Sequence, residues 1–245
     1  MIRQVKMTVT DNIPLAQDIY RMRLSGDASG MERPGQFVNI QLEWLFLRRP
    51  ISVCDWTADS LTLIYKTVGQ GTRQMSALPP GAVLDVLTGL GNGYDTSPSG
   101  DSPLLLGGGV GVPPLYALAK QLIREGKRVR AVLGFRGAGD VFGGDEFTAL
   151  GVETLITTED GSMGLKGFVT GALPGDYSYY YACGPLPMLK AVWRACNTGG
   201  QLSLEERMGC GFGACMGCSI QTLSGPKRVC REGPVFRKED LAWQE

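Results

Sequence analysis

The spacing of four cysteines near the C-terminus constrains this chain more than any other feature. Cys210, Cys215, Cys218 and Cys230 follow the pattern C-x4-C-x2-C-x11-C. Three thiols on one short loop, with a fourth farther along, match the plant-type ligand spacing for a 2Fe-2S cluster, in which the last gap varies. Three of the six residues between the first three are glycine and a fourth is alanine, and such small residues let backbone N–H groups approach the cluster sulfurs. We therefore expect a cluster-binding loop, and elsewhere a group that exchanges single electrons with it.

Two other uses of these four cysteines were weighed. A structural zinc site usually has two C-x2-C pairs, which this spacing lacks, and it would make a colourless binding module with no redox role. Two disulfides require an oxidising compartment. The first residues of the chain contain no apolar core of signal-peptide length, so a reducing, cytoplasmic location is expected. The 2Fe-2S hypothesis is preferred on these grounds.

Composition excludes several classes of function. The chain has 24 basic and 24 acidic residues and no basic block, so no nucleic-acid partner is expected. No apolar run reaches the roughly 18 residues of a membrane-spanning helix. Histidine is absent, which excludes Ser-His or Cys-His catalysis and any histidine-ligated metal. Redox chemistry carried by a cofactor fits such a composition.

Residues 1–97 predict a small antiparallel β-barrel. They contain short, β-branched or alternating segments separated by turn signals and little helical pattern. The predicted strands are Val5–Thr10, Ile19–Leu24, Phe37–Gln41, Ile51–Asp55, Leu61–Val68 and Val83–Leu87. A Thr-Ser-Pro-Ser-Gly stretch at 96–100 then predicts a linker to the next domain.

Two loops of the barrel are candidate binding elements. In the first, Arg49 offers a bidentate fork to a pyrophosphate, Pro50 fixes the following turn, and the Ser52 hydroxyl suits a flavin ring nitrogen. The alternative is that Arg48 and Arg49 only keep a strand edge soluble. In the second, Thr72 is predicted to cap a short helix over 72–78 whose N–H groups form an anion site. An ordinary capped turn is the alternative there.

Residues 101–200 predict an α/β domain with a parallel sheet. A buried apolar strand at 103–106 precedes the glycine loop Gly107–Pro114 and a helix over Leu115–Arg124, which is the arrangement that binds nucleotide phosphates. Val112 stands where the last glycine of a G-x-G-x-x-G fingerprint belongs. Further strands are predicted at Val129–Phe135, Val152–Thr157 and Tyr177–Cys183, with helices at Asp145–Leu150 and Leu186–Cys196.

Cys183 ends its predicted strand at the edge where open α/β sheets bind ligands. The alternative is a buried small apolar side chain, as free cysteine often is. Residues 201–245 are predicted to hold a last strand at Leu202–Glu205, the cysteine loop and a tail. In that tail Phe236 and Trp243 are expected to cover the cluster or to contact a partner.

The order of these parts resembles the ferredoxin-reductase superfamily, and within it the electron-transfer subunits of bacterial NAD-dependent dihydroorotate dehydrogenase B. The four cysteines match that family's 2Fe-2S ligands. The turn Leu90–Tyr94 resembles its glycine-rich turn after the barrel, and Gly107–Pro114 and Ala182–Pro185 resemble the superfamily's pyridine-nucleotide loops. The positions that match cofactor-contacting motifs are Arg49, Pro50, Ile51, Ser52, Ile64, Tyr65, Lys66, Gly71, Thr72, Gly108, Gly109, Gly111, Gly184 and Pro185.

The resemblance implies FAD and NAD(H) as cofactors beside the 2Fe-2S cluster, and Cys183 next to the nicotinamide. It also implies an FMN-containing catalytic subunit that oxidises dihydroorotate to orotate, in a heterotetramer with two copies of each subunit. The alternatives are a similar relay subunit of a glutamate synthase-like or hydrogenase complex, and a self-sufficient NADH oxidase or ferric reductase. Arg136 and Asp140 both follow strand Val129–Phe135, so the residues leave NADH and NADPH open as the dinucleotide.

Overall fold

The computed structural model of the chain describes residues 2–243 and begins with a closed six-stranded antiparallel barrel. Side chains alternate between the barrel interior and its surface, most clearly on the fifth and sixth strands, as the sequence pattern predicts. Neighbouring strands run in the order β1, β2, β5, β4, β3, β6. Their bounds are β1 Arg3–Ala16, β2 Ile19–Ser25, β3 Phe37–Gln41, β4 Arg49–Trp56, β5 Ser60–Lys66 and β6 Val83–Leu90. All six predicted strands are confirmed.

A seven-stranded sheet follows the barrel, with strand order β10, β9, β8, β7, β11, β12, β15. Every described pairing in it is parallel except that of β15, which runs antiparallel to β12 at one edge. The central strand is buried throughout, which explains its continuous apolar sequence. The bounds are β7 Leu104–Gly108, β8 Arg130–Phe135, β9 Glu153–Thr158, β10 Leu165–Lys166, β11 Tyr180–Cys183, β12 Gly200–Ser203 and β15 Val235–Arg237. The predicted barrel plus α/β fold class is thus confirmed.

Four α-helices and a small hairpin complete the described fold. The helices are α1 Gln70–Ser76, α2 Pro113–Arg124, α3 Gly144–Ala149 and α4 Leu186–Ala195. The hairpin joins β13 Ser219–Thr222 to β14 Gly225–Arg228 between the third and fourth cluster cysteines. Within residues 2–243, none of the helices has both the length and the apolar character needed to cross a bilayer.

The sequence predicts no strand after Leu202–Glu205, yet the C-terminal segment adds a further strand, β15, to the sheet. The predicted cysteine segment, residues 201–245, contributes most of β12 and all of β15 to the sheet. Phe236 lies on β15, is 6 % exposed and packs in the core. Of the two expectations for the tail, Phe236 follows the first: its side chain packs with Cys218 and Cys230 and holds the cysteine segment onto the sheet. Trp243 is half-buried and packs edge-on against Trp193.

The three parts of the chain share their cores. One apolar cluster contains Phe37 and Leu90 of the barrel, Leu202 of the sheet, and both Cys218 and Cys230. On the other side of the molecule, Lys120 of α2 donates to the Asp55 carboxylate of β4 at 2.6 and 2.8 Å. Barrel, sheet and cysteine segment are consequently packed as one body, which fixes the candidate sites relative to one another.

Candidate functional site

The four cysteines of the C-terminal loop lie in two pairs. Cys210 and Cys215 form the outer pair, in which the Cys215 N–H donates to the Cys210 sulfur and the Cys210 N–H to the Cys215 sulfur, both at 3.4 Å. Cys218 and Cys230 form the inner pair, in which the Cys230 N–H donates to the Cys218 sulfur at 3.4 Å. Cys215 is exposed, whereas both inner cysteines are 2 % exposed.

One thiol of each pair, Cys210 and Cys230, has a shifted pKa, and the two shifts are opposite in direction. Burial opposes ionisation of Cys210, but N–H groups of Cys215, Phe212 and Ala214 outweigh it and lower the thiol pKa from 9.0 to about 6. Burial, together with the neighbouring Cys218 sulfur and the charge of Cys210, raises the pKa of Cys230 to about 12. That Cys210 acts on Cys230 places the two pairs within electrostatic reach of each other. Because thiolates are the metal-binding form, Cys210 is better prepared than Cys230 to bind a metal.

Two thiol pairs suit a two-iron cluster. A 2Fe-2S cluster takes four cysteine sulfurs, two at each iron. Among residues 2–243, no group of three or more His, Cys, Asp or Glu side chains converges on a single metal position. A tetrahedral zinc ion would need all four sulfurs around one point. The donor set therefore fits the 2Fe-2S hypothesis better than the zinc alternative, and Cys210, Cys215, Cys218 and Cys230 are the residues that would hold the cluster.

Asn39 connects the cysteine loop to the barrel. Its side-chain N–H₂ donates to the Cys210 carbonyl at 3.2 Å, and a Cβ on Gly211 would collide with the same amide. On the neighbouring strand Asn39 faces Pro50, in the middle of the predicted flavin motif. The cysteine loop and that motif are thus separated by a single strand, β3. Adjacent strands lie about 5 Å apart, so the two candidate redox sites are neighbours.

Arg49 lies over the start of α1. A Cβ added to Gly71 would overlap the Arg49 guanidinium, so only glycine admits the arginine there. The Arg49 guanidinium also donates to the Leu47 carbonyl. These contacts bring the predicted pyrophosphate ligand and the Gly71-Thr72 segment together on one face, although they are 22 residues apart in the sequence.

The predicted helix cap at Thr72 is wrong in its position. The helix begins at Gln70, and Gly69 occupies the capping position. Thr72 sits in the first turn, where its hydroxyl accepts the N–H groups of Val68 at 2.9 Å and Gly69 at 3.2 Å. This is the reciprocal half of a capping box, with threonine in the place of the usual Glu or Gln. Glycine was missed as the cap because its signal also fits an ordinary turn.

The other predicted flavin contacts fall on β4 and β5. Pro50, Ile51 and Ser52 are half-buried on β4. Ile64 and Lys66 are half-buried on β5, whereas Tyr65 between them points into the barrel. The Tyr65 hydroxyl donates to Asn12 at 3.0 Å, and its ring is 2 % exposed. The Tyr65 side chain is therefore a core group.

The two predicted nucleotide loops, Gly107–Pro114 and Ala182–Pro185, meet at the end of the parallel sheet, where glycines allow their backbones to come into contact. Gly108 ends β7, and Gly109 and Gly111 form the short 3-10 turn before α2. A Cβ on Gly111 would overlap the Cys183 carbonyl group, and one on Gly184 would lie 3.1 Å from the Gly108 nitrogen. Pro185 caps α4. The glycines are needed because the backbones of the two loops touch.

Cys183 ends β11 beside Gly107 of β7 and Ser203 of β12. It is 3 % exposed. Burial, with a smaller effect from the charge of Glu205, raises its thiol pKa to about 12, against bonds from Ser203 and the Gly184 N–H. The side chain is accordingly a neutral thiol at pH 7. A neutral thiol is a poor nucleophile.

Sequence reasoning missed the residues that anchor the cysteine segment. Asn92 donates to the carbonyls of Glu232 at 3.0 Å and Val235 at 2.7 Å, and accepts the Val235 N–H at 3.1 Å. Arg228 donates to the Gly213 carbonyl at 2.6 Å while paired with Glu232. Asn92 lies in the turn noted above at 90–94, but its partners are about 140 residues away and leave no local signal.

Comparisons with known proteins agree with this geometry. Residues 205–242 match the family model described as the iron-sulfur cluster binding domain of dihydroorotate dehydrogenase B. The chain is 46 % identical, over 98 % of its length and 99 % of the relative's, to the dihydroorotate dehydrogenase B (NAD(+)) electron transfer subunit of Geobacillus sp. (strain WCH70). The corresponding subunit of Fusobacterium nucleatum subsp. nucleatum is 42 % identical over 96 % of each chain.

A solved structure shares almost the whole fold. It belongs to an NADH-dependent reduced ferredoxin-NADP oxidoreductase studied for flavin-based electron bifurcation. The match has a TM-score of 0.87 and 31 % identity, and covers 97 % of this chain and 90 % of the other.

Proposed function

The chain belongs to the family of electron transfer subunits of NAD(+)-dependent dihydroorotate dehydrogenase B, and from this premise we propose that it relays electrons between NAD(H) and the FMN of a separate catalytic subunit. That subunit oxidises dihydroorotate to orotate in pyrimidine biosynthesis, and the electrons finally reduce NAD⁺. We propose a cytoplasmic heterotetramer with two copies of each subunit. When bound, FAD exchanges electron pairs with NAD(H) and single electrons with the 2Fe-2S cluster.

The observation that carries the proposal is the position of Asn39. It bonds to the backbone of Cys210 on one side and faces Pro50 on the next strand on the other. A flavin held by the β4 motif and a cluster held by the cysteine loop would therefore be adjacent. A zinc-stabilised binding module has no need of this adjacency, whereas an electron relay depends on it.

We assign the binding roles to individual residues of the chain. Arg49 would pair with the FAD pyrophosphate, and Ser52 would offer its hydroxyl to the flavin ring. The backbones of Gly108, Gly109 and Gly111 would accept the dinucleotide, with Gly184 and Pro185 closing the same edge. The neutral thiol of Cys183 would orient the nicotinamide toward the flavin and exclude water from that contact. Buried, uncharged neighbours suit hydride transfer, which must not be intercepted by solvent.

The test is purification of the chain from its native host followed by a visible spectrum of whatever co-purifies. We expect a brown complex that contains FAD, FMN and iron, and that reduces NAD⁺ when dihydroorotate is added. A brown protein with another partner and no response to dihydroorotate would keep the relay and reject the pyrimidine pathway. A colourless protein with zinc would reject both.

A variant pair separates the flavin role of Arg49 from simple surface charge. Arg49→Lys keeps the charge but loses the planar fork, so the purified chain should hold less FAD at equal iron content. Arg73, exposed on α1, is the matched control. Arg73→Lys should leave the ratio of FAD to iron unchanged. Equal FAD in both variants would remove Arg49 from the site.

A second candidate rests on the solved structure of 31 % identity. It is a relay subunit of a ferredoxin-NADP oxidoreductase type of complex, with the same barrel, sheet and segment order. The purification from the native host described above distinguishes the two candidate functions by the partner that co-purifies. Reduced ferredoxin would then replace dihydroorotate as the electron donor that drives the complex.

A further inference from the structure

The loop that follows β8 lies where a bound dinucleotide would place its adenine ribose. In a βαβ nucleotide-binding unit the glycine loop follows the first strand, and the residues after the second strand read the ribose 2′ position. Here Gly108, at the start of the glycine loop, pairs with Gly134 of β8. Arg136 comes two residues later, just beyond the end of β8. Topology therefore puts Arg136 beside the ribose 2′ position.

Arg136 does not present a free guanidinium. Its Nε donates to one Asp140 carboxylate oxygen at 3.0 Å and a terminal nitrogen donates to the other at 3.1 Å. The geometry is the bidentate fork that an arginine would otherwise offer to a phosphate. The hydrogen bond to Asp140, then its charge, raise the pKa of Arg136, with further contributions from Glu159 and Asp18.

The surroundings of the pair are acidic as well. Asp160 lies in the neighbouring loop, within 2.6 Å of where a Cβ on Gly137 would be. The loop that contains Asp160 is joined to the loop after β8 by a hydrogen bond from the Ala138 N–H to the Ser162 hydroxyl at 2.8 Å. Lys166 packs along Gly161 and is the only other cation that these contacts bring near. A dianionic 2′-phosphate entering here would meet several carboxylates and a guanidinium already paired.

We propose that Asp140 selects NAD(H) over NADP(H) by occupying the Arg136 fork that would otherwise bind a 2′-phosphate. This rests on the proposed function, since it concerns the dinucleotide of that same reaction. Asp140 acts as a specificity-determining residue: it makes the site acidic and occupies the planar, bidentate fork of Arg136, which the Lys166 ammonium cannot replace. A free ribose hydroxyl, which carries no charge, is not penalised.

The test measures nucleotide binding and turnover on the full chain with its cofactors. Binding of adenosine 2′,5′-bisphosphate and of ADP is measured by calorimetry, and NADPH and NADH oxidation with ferricyanide as acceptor. Wild type should bind ADP and oxidise NADH but respond poorly to the 2′-phosphorylated forms. Because the Arg136 side chain is 67 % exposed, Asp140→Ala should raise the relative affinity for the bisphosphate by only about fivefold. The NADPH to NADH ratio of kcat/KM should move in the same direction.

Three further variants keep the test decisive. Arg136→Ala combined with Asp140→Ala should abolish the gain, because the fork is gone. Asp140→Asn removes the charge at constant size and should give a smaller gain, which covers the case in which Asp140→Ala folds poorly. Asp176→Ala breaks the similar Arg130–Asp176 pair, 3.2 Å long, which β8 carries at its opposite end, and should leave both ratios unchanged.

The outcomes separate this inference from the proposed function. If the wild-type chain binds neither ADP nor NADH, the dinucleotide role itself fails. If NADH is oxidised but Asp140→Ala and Asp140→Asn leave the bisphosphate-to-ADP affinity ratio at the wild-type value, the role of Asp140 is overturned. The same holds if wild type uses NADPH as well as NADH.

Discussion

The outer and inner cysteine pairs belong to one donor set, yet they are held by different means. Cys210 and Cys215 sit on a glycine-rich loop, and their sulfurs accept backbone N–H groups. Cys218 and Cys230 are built into the apolar core with Val229. The comparison separates two tasks. The inner pair ties the cysteine segment to the fold, while the outer pair lies nearer the surface, where Phe212 and Met216 are exposed and where it would hold the outer edge of a bound cluster.

The largest contrast should come from replacing one cysteine in each pair. Cys230→Ser places a hydroxyl in an apolar core and removes a ligand, so we expect a chain without iron and without cluster absorption. Cys215→Ser puts an oxygen on an exposed loop where the Cys210 N–H still meets it. This variant should retain a measurable fraction of the iron. Iron and sulfide content per chain check the pair, and equal loss in both would contradict the division of tasks.

Two phenylalanines, one beside the inner pair and one on the outer loop, test the same division of tasks through the free energy of unfolding. Phe236 is buried on β15, so Phe236→Ala should lower the free energy of unfolding by about 3 kcal/mol, as core Phe truncations do. Phe212 is 45 % exposed on the outer loop, and Phe212→Ala should change it by less than about 0.5 kcal/mol. Urea unfolding of both variants provides the measurement. A large loss from Phe212→Ala would mean that the outer loop is also part of the folded core.

Removing the Asn39 side chain should loosen the outer loop alone. Asn39→Ala deletes the bond to the Cys210 carbonyl, and such a bond contributes about 1 kcal/mol. Amide hydrogen exchange over residues 210–215 should therefore accelerate by about fivefold. The β13–β14 hairpin, which follows the inner Cys218, should exchange as in wild type. Faster exchange in the hairpin as well would show that the two pairs are not independently supported.

Features that depend on neighbouring residues, such as strands and ligand spacing, can be predicted from the sequence. All six barrel strands were located because alternating and β-branched residues mark them. The ligand set of the cluster was predicted from cysteine spacing alone and stays a prediction. The start of α1 was misplaced because Gly69 and Thr72 both fit a capping position. Tyr65 stays a predicted flavin-motif position, and its alternation with Ile64 and Lys66 agrees with a side chain that points into the barrel.

Long-range contacts were not predictable from the same patterns. Asn39 and Cys210 are 171 positions apart, and Asn92 and Val235 are 143 apart. The local sequence does not mark these polar side chains as structural, because their partners come close only in the folded chain. For Phe236 the sequence left cover over the cluster and contact with a partner both open, because a C-terminal tail carries no signal that it returns to a sheet. The assignment of individual residues to FAD and NAD(H) stays a prediction until the variants above are measured.

The smallest effect should come from replacing Asp85, which is connected to Asn39 only through Arg48. Arg48 donates to Asp85 at 2.6 Å and to the Asn39 carbonyl at 3.3 Å. Burial opposes ionisation of Asp85, but bonds from Gln4, Arg48 and Lys6 prevail and lower its pKa to about 2 from 3.8. A depressed pKa means that the ionised carboxylate stabilises the folded state above pH 3.8. That contribution is lost as the pH falls toward 2.

Asp85→Asn should therefore cost about 1 kcal/mol at pH 7, after allowance for solvent near a 17 % exposed side chain. The difference from wild type should shrink steadily below pH 3.8, because wild-type Asp85 is then increasingly protonated. Urea unfolding at a series of pH values between 7 and 3 measures it, with Asp59→Asn on an exposed turn as the control. A difference that is independent of pH would show that Asp85 acts through its shape and not its charge. The outer cysteine loop would then be supported by packing, as the inner pair is.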